Sequence, residues 1–216
     1  MNDYLVIGFS PIIYLIEKYF IFLLNIFNSQ GVSIIITSIS ASLILIPVLK
    51  VARRKEDLFS QKVAQINNEV SNISKSLKGE EKFYAVEKIY NKYDFHPIHN
   101  IQNGLSFFII FPVLISAYLF FNINIQSMNQ DFLNLVNLSK PDELFFGLNI
   151  IPIMIFIINF LDAKFKYHKT NSGRPSYIFL SLVICILIYN MPSCLTVYWF
   201  TSSIFSLFFS IVHLRY

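Results

Sequence analysis

Charge is scarce in this chain. Asp, Glu, Lys and Arg make up 14% of its 216 residues, against 55% hydrophobic residues that include 23 Phe and 12 Tyr. That balance excludes a disordered polypeptide and does not fit an ordinary soluble domain. Cysteine is nearly absent. Cys185 and Cys194 fall in or beside apolar runs, without a CxxC or a repeated spacing. They read as small buried hydrophobes rather than as a disulfide or metal pair. The sequence lacks a Ser-His-Asp order, a Gly-rich phosphate loop and paired carboxylates within its apolar runs. A protease or transferase needs such groups, so the chain is expected not to be an enzyme and to use no cofactor. His96 and His99 flank Pro97, with Asp94 nearby. The proline disturbs helical spacing there and no fourth ligand is evident, so no metal site is expected.

Long apolar runs are what the chain has instead. A spanning helix needs about 20 mainly apolar residues, and residues 32–49, 101–121, 145–161, 175–189 and 193–214 are the candidates. The expected fold class is an all-α membrane protein with a five-helix transmembrane core. Lys and Arg are unevenly spread. Ten lie between Lys50 and Lys92, four more are Lys164, Lys166, Lys169 and Arg174, and Arg215 follows the last run. Cytoplasmic loops carry the Lys/Arg excess. The three basic regions share one side if there are five spans, with the N-terminus outside and the C-terminus in the cytoplasm. Positive charge tied to a bilayer in this way suits lipid headgroups or a ribosome better than nucleic acid, which is not expected as a primary ligand.

Residues 1–30 read as a separate amphipathic element. The run LVIGFSPIIYLIEKYFIFLLNIF has no basic segment before it and no small-residue cleavage site after it, so it is not read as a signal peptide. Glu17 and Lys18 would sit near mid-bilayer if it spanned, and central charges cost a few kcal/mol each. Residues 11–27 are therefore expected to lie at the outer interface, with Tyr14, Lys18 and Tyr19 near headgroup level.

Residues 31–216 form the expected core, and 51–96 within them a cytoplasmic helical hairpin. Gly79 in LKGE can take the left-handed turn that ends a helix, and Glu80 and Glu81 suit the positive end of the next. Val63, Ile66, Val70, Ile73 and Leu77 recur at three- and four-residue steps. Phe83, Val86, Ile89 and Tyr90 do the same on the second helix, and the two stripes should face each other. The external loop 122–144 is polar, and Asn159 and Asp162 are expected to cap the third span or reach to its surface.

Six stretches, in order, resemble one family, the YidC-type membrane-protein insertases. The run SPIIYLIEKYFIFLLNIFNSQGVSIIITSISASLILIPVLK resembles the family's interfacial helix and first core span, which ends in an apolar–Pro–apolar step, here Ile46-Pro47-Val48. The charged hairpin follows in place and length. KIYNKYDFHPIHN resembles the family's Leu-Tyr-Lys-Lys…Asn-Pro element. FFIIFPVLISAYLFF is similar to its second core span, LVNLSKPDELF to its external Asp-Leu-Ser-x-Pro-Asp-Pro motif, and MPSCLTVYWFTSSIFSLF to its Pro-Ser-Gly-Leu-Val-Leu-Tyr-Trp segment.

The resemblance implies an insertase or chaperone of the bacterial plasma membrane. It would receive nascent or newly made membrane proteins from the cytoplasm and pass them into the lipid bilayer through a hydrophilic groove. Carrying a polar tail through hydrocarbon is costly because its backbone groups lose water. A wet notch shortens the dry path. The secretion translocon and the ribosome are implied partners. The family's basic C-terminal tail is missing after Arg215, so ribosome contact would rest weakly on the hairpin and on 164–174. The alternative is a partner subunit or assembly factor for one membrane complex.

Two departures affect the groove. The family's arginine, five residues before the proline, is Ser42 here, and its Gln before the second-span proline is Ile110. Ser38, one turn before Ser42, shares its face. Ser33, Thr37 and Ser40 lie on roughly the opposite face. By the family register, the groove and client-contact residues would be Ser38 and Ser42 with Thr196, Tyr198, Trp199 and Ser203. Thr196, Trp199, Ser203, Ser206 and Ser210 share one face of the last span. Hydroxyls that bond back to their own helix or join two helices are the alternative for both sets.

Overall fold

The computed structural model describes residues 3–96, 105–166 and 174–213. Seven helices account for about four-fifths of them: α1 (Asp3–Phe27), α2 (Gln30–Ser76), α3 (Gly79–Lys92), α4 (Leu105–Ile123), α5 (Ile150–Lys166), α6 (Arg174–Ile188) and α7 (Ser193–His213). An all-α membrane protein was the expected class. Among the described residues, α2, α7 and residues 8–27 of α1 are long and apolar enough to cross a bilayer, α4 and α6 carry shorter apolar stretches, and α5 starts five residues after the run expected at 145–161. α7 packs against both α2 and α5, α6 against α5, and α1 against α2 and α4. α3 folds back on the far half of α2 as the expected hairpin. The bundle thus has a hairpin end and, where α4 exits into residues 124–149, a loop end.

α2 departs from expectation in its length. The first span and the first hairpin helix are one unbroken helix of 47 residues, with Pro47 inside it. At 1.5 Å per residue it is about 70 Å long, roughly twice the hydrocarbon thickness of a bilayer. Ser29 starts it by accepting a bond from the Val32 amide. Proline costs the helix a backbone bond, yet the helix continues through it. Ala52, Arg53 and Glu56 are buried just beyond it, against the rest of the bundle, and hold the next turns in place.

Gly79 closes the hairpin with φ +61°, and Glu80 and Glu81 occupy the first turn of α3. Val63 and Ile66 of α2 meet Ile89 of α3 and Phe95, flanked by Val70, Ile73 and Tyr90. Phe83 does not join them. It is exposed and stands edge-on to Tyr84, with ring centroids 5.7 Å apart. Packing is tightest at the bundle end, where Ile66 is fully buried, and loosens towards the turn.

A polar clasp supports the hairpin. Lys92 Nζ lies 3.2 Å from Glu69, and the Tyr93 hydroxyl donates to the same carboxylate. The Tyr93 and Lys92 hydrogen bonds hold the Glu69 carboxyl below its usual range, and Glu69 raises Lys92 above its own. A lowered carboxyl stabilises above its unfolded pKa and loses that contribution as pH falls through the folded value. A raised ammonium stabilises below its unfolded pKa and loses it as pH rises through the folded value. Hydrogen-exchange protection of α3 should therefore be flat through neutral pH and fall at both extremes. Glu69→Gln should remove the acid limb.

The loop end is built on specific contacts. The Gln30 side chain donates to the Ser127 carbonyl at 2.7 Å, and its backbone amide donates to the Gln130 side chain at 2.9 Å. The two short strands β1 (Asp131–Phe132) and β2 (Val136–Asn137) pair antiparallel. Ser193 ties the start of α7 to the Lys140 carbonyl through both amide and hydroxyl, and Asp142 accepts from the Ile150 and Ile151 amides at the start of α5. Within the loop expected to be polar, Leu133, Leu135 and Leu144 are exposed, and Phe145 and Phe146, expected to open the third span, stand exposed ahead of α5. Gly31 lies under the Phe132 ring, where a Cβ would overlap it. Gly31→Ala should lower bundle stability by about 1–3 kcal/mol, read by thermal unfolding of the purified protein. A second change, Phe132→Ala, should recover part of that loss by making room.

α1 folds back along α2. The Tyr19 hydroxyl lies 2.8 Å from Ser40 Oγ, although each is roughly ten residues from the intervening turn at Asn28 and Ser29. Phe20 meets Phe120 and Phe121 edge-on, and Phe121 meets Tyr198. Tyr14 and Lys18 are exposed.

Candidate functional site

A cavity of about 100 Å³ lies in the hairpin-end half of the bundle, walled by residues of α2 and α4–α7. Its sides are apolar: Ile110 and Leu114 from α4, Leu180 and Ile184 from α6. Among the described residues, these two helices face each other across the cavity without packing extensively. Its polar residues come from all but α4: Arg53, Asn159, Lys166, Tyr177 and Ser181, with Trp199, Ser202, Ser203 and Ser206 from α7. A second space of about 30 Å³, lined by Ser42, shares Arg53, Ile110, Ser202 and Ser206 with it.

The floor is a cluster of charges. Arg53 is only 9% exposed; it donates to Ser210 Oγ at 3.0 Å and to Ser206 Oγ at 3.4 Å, and its guanidinium stacks 4.8 Å from the Phe209 ring centroid. Ser206 passes the contact on by donating to Asp162 Oδ2 at 3.0 Å, and Tyr177 donates to the same oxygen at 3.1 Å. Lys166 pairs with Glu56 at 3.4 Å, with side chains 8% and 2% exposed. The helix period brings these groups together. Arg53 and Glu56 are three apart on α2, Asp162 and Lys166 four apart on α5, and Ser206 and Ser210 four apart on α7.

Ions cost several kcal/mol each to bury unless paired and hydrogen-bonded. The pairing here is incomplete. Arg53 Nε, Asp162 Oδ1, Ser181 Oγ and Trp199 Nε1 are buried without a partner among the described residues. A polar atom left so costs about 1–3 kcal/mol, and water is its ordinary remedy. The cavity is roomy enough for several waters. Side chains and volume together describe a notch among apolar helices, lined in part by polar groups and large enough to hold water.

The residues expected at a groove divide into two sets. Ser42, Trp199 and Ser203 line these cavities. Ser38, Thr196 and Tyr198 are placed in the packed core instead. Ser38 Oγ donates to the Tyr198 carbonyl at 2.7 Å, joining α2 to α7, and Thr196 bonds back to Ser193. Ser33 and Thr37 likewise bond back to their own helix. Asp162 neither caps nor reaches the surface, because it is wholly buried at the floor. His96 is exposed, and His99 lies outside the described residues. Arg53, Glu56 and Lys166 carry site chemistry that the basic-loop reading passed over. The signal was there: Ser42, Leu49, Arg53, Glu56 and Ser60 follow Ser38 in steps of three, four or seven, one stripe down a continuous helix.

The profile of the family described as 60Kd inner membrane protein matches residues 22–216. The chain is 24% identical over 200 residues to the membrane protein insertase YidC of Fusobacterium nucleatum, covering 90% of this chain and 93% of that protein. It is 24% identical over 219 residues to the membrane protein insertase MisCB of Bacillus subtilis, covering 94% and 76% respectively. Against the membrane protein insertase YidC of Chlamydia trachomatis the identity is 24% over 214 residues. There, 90% of this chain matches 26% of the relative, so the likeness spans about a quarter of that longer protein.

Proposed function

The chain belongs to the 60Kd inner membrane protein family, that of the YidC-type insertases, and on that premise we propose that it moves client segments from the cytoplasm into the bilayer through the cavity. The observation that carries this reading is the cavity with its unsatisfied polar atoms. Arg53 Nε, Ser181 Oγ and Trp199 Nε1, on residues that line it, are buried polar atoms without a partner among the described residues, and α4 and α6 on either side pack little against each other. A client's polar end is hydrated there while its apolar segment leaves between α4 and α6. Burial of that segment in lipid, at about 25 cal/mol per Å² of apolar surface, drives the step. Arg53, three turns beyond Ser42 on the same helix, lines both spaces.

The basic hairpin faces the cytoplasm in this reading, and the loop end faces outward. α1 contributes its exposed Tyr14 and Lys18 to the outer interface. The extended α2 makes the hairpin a rigid continuation of a cavity wall. The test is crosslinking during synthesis of a labelled single-span client, in cells depleted of their own insertase and supplied with this chain. Photoreactive residues at Ser42 and Ser203 should capture the client, and one at Ile186, on the exposed side of α6, should not. Absence of client from both cavity positions, with no client inserted, would remove the proposal.

A further inference from the structure

The floor of the cavity carries its own counter-charges. Arg53 and Lys166 line the cavity, whereas Glu56 and Asp162, 2% and 0% exposed, stand behind them. Lys166 has Glu56 at 3.4 Å, and Ser206 bridges Arg53 to Asp162. The charges that act on Lys166 are Glu56, Arg53 and Asp162. Arg174, at the start of α6, turns instead to the Lys164 carbonyl. Two positive and two negative groups sum to zero, so the field in the cavity decays as that of paired dipoles rather than of a bare cation.

We propose that Asp162 is a specificity-determining residue of the cavity, cancelling the Arg53 charge so that client tails enter without selection for acidic residues. The inference rests on the insertase reading. Asp162 is poorly explained by packing alone. It has one oxygen bonded twice, to Ser206 and Tyr177, and the other buried without a partner. A carboxylate held in this way is costly, and a neutral isostere would keep most of its contacts. What the isostere would lose is the negative charge. The unpartnered atoms at and around the cavity also have both polarities: Arg53 Nε and Trp199 Nε1 donate, Asp162 Oδ1 accepts, and the Ser181 hydroxyl does either. Such a site suits amides, hydroxyls and tails of mixed charge.

The experiment compares one single-span client with three short translocated tails, carrying two Asp, two Lys or two Gln. Insertion is measured into proteoliposomes holding the wild type, Asp162→Asn, Asp162→Asn with Arg53→Gln, or Ser42→Arg. Wild type should insert the three tails within about threefold of one another. Asp162→Asn should favour the Asp tail over the Lys tail by at least about tenfold, or about 1.4 kcal/mol, and the double variant should lose that skew. Ser42→Arg adds an unbalanced cation without disturbing the floor and should skew in the same direction, so the idea is tested even if Asn at 162 impairs folding. A wild type that already favours the Asp tail tenfold overturns the proposal. So does an Asp162→Asn that is equally weak with all three tails while Ser42→Arg shows no skew. If the wild type inserts none of the tails, the insertase reading itself falls.

Discussion

Glu56→Ala should destabilise the folded bundle by about 3–5 kcal/mol, one of the two largest effects expected here. The residue is 2% exposed and its carboxylate pairs with Lys166, whose side chain is 8% exposed. Removing it leaves an ammonium buried among apolar helices beside Arg53, which shares its sign. The penalty is that of the stranded ion, not the worth of the pair. Lys166→Ala should cost a similar amount for the opposite reason. Replacing both residues by Met, which removes the pair and keeps much of its volume, should cost far less than either single change. Thermal unfolding in detergent reads all three. A double variant as unstable as the sum of the singles would show that these groups do not compensate each other. The pair also joins α2 to α5 just beyond Pro47, so Glu56→Ala should raise hydrogen exchange in α2 around residues 50–60 before the rest of the bundle loosens.

The same pair marks where the sequence stops being legible. Apolar runs located α4, α5, α6 and α7, because burial in lipid demands length and hydrophobicity, both visible in composition. Gly79 and the stripe Val63–Ile66–Val70–Ile73 were legible because turn geometry and helical period are local. The continuity of α2 was not. Pro47 and the shift to charged residues at Lys50 both suggest a boundary, and only tertiary contacts at Ala52, Arg53 and Glu56 overrule them. Once the helix is cut at Leu49, Arg53 falls among the basic loop residues and its alignment with Ser42 is lost. Asp162 was obscured for a related reason. A lone carboxylate near the end of an apolar run reads as a cap, and its partners Tyr177 and Ser206 come from two other helices. The α7 serines were grouped on one face correctly, but period alone does not separate Ser203, which lines the cavity, from Thr196, which is packed.

Ser203→Phe should reduce client insertion at least tenfold while leaving the bundle folded. Ser203 lines the cavity, and it lies between Trp199 and Ser206 on the inward face of α7. A phenyl ring there projects into a space of about 100 Å³, enough to take most of it. Overpacking a filled core costs about 1–3 kcal/mol. Here the ring enters an open volume, so the loss should come mainly from displaced water around Trp199 Nε1 and Ser181 Oγ, and the thermal midpoint should fall by only a few degrees. Insertion should suffer more than stability because, on the proposed route, a client's polar end then meets a ring instead of a space that can hold water. Ser203→Ala keeps the space and should retain most activity. Ile186→Phe adds similar bulk to the exposed side of α6 and should change little. The comparison separates blocking a route from disturbing a fold. If Ser203→Phe inserts clients at the wild-type rate, with its ring shown to occupy the cavity by loss of thiol labelling at a cysteine placed at Ser202, then clients do not pass this way.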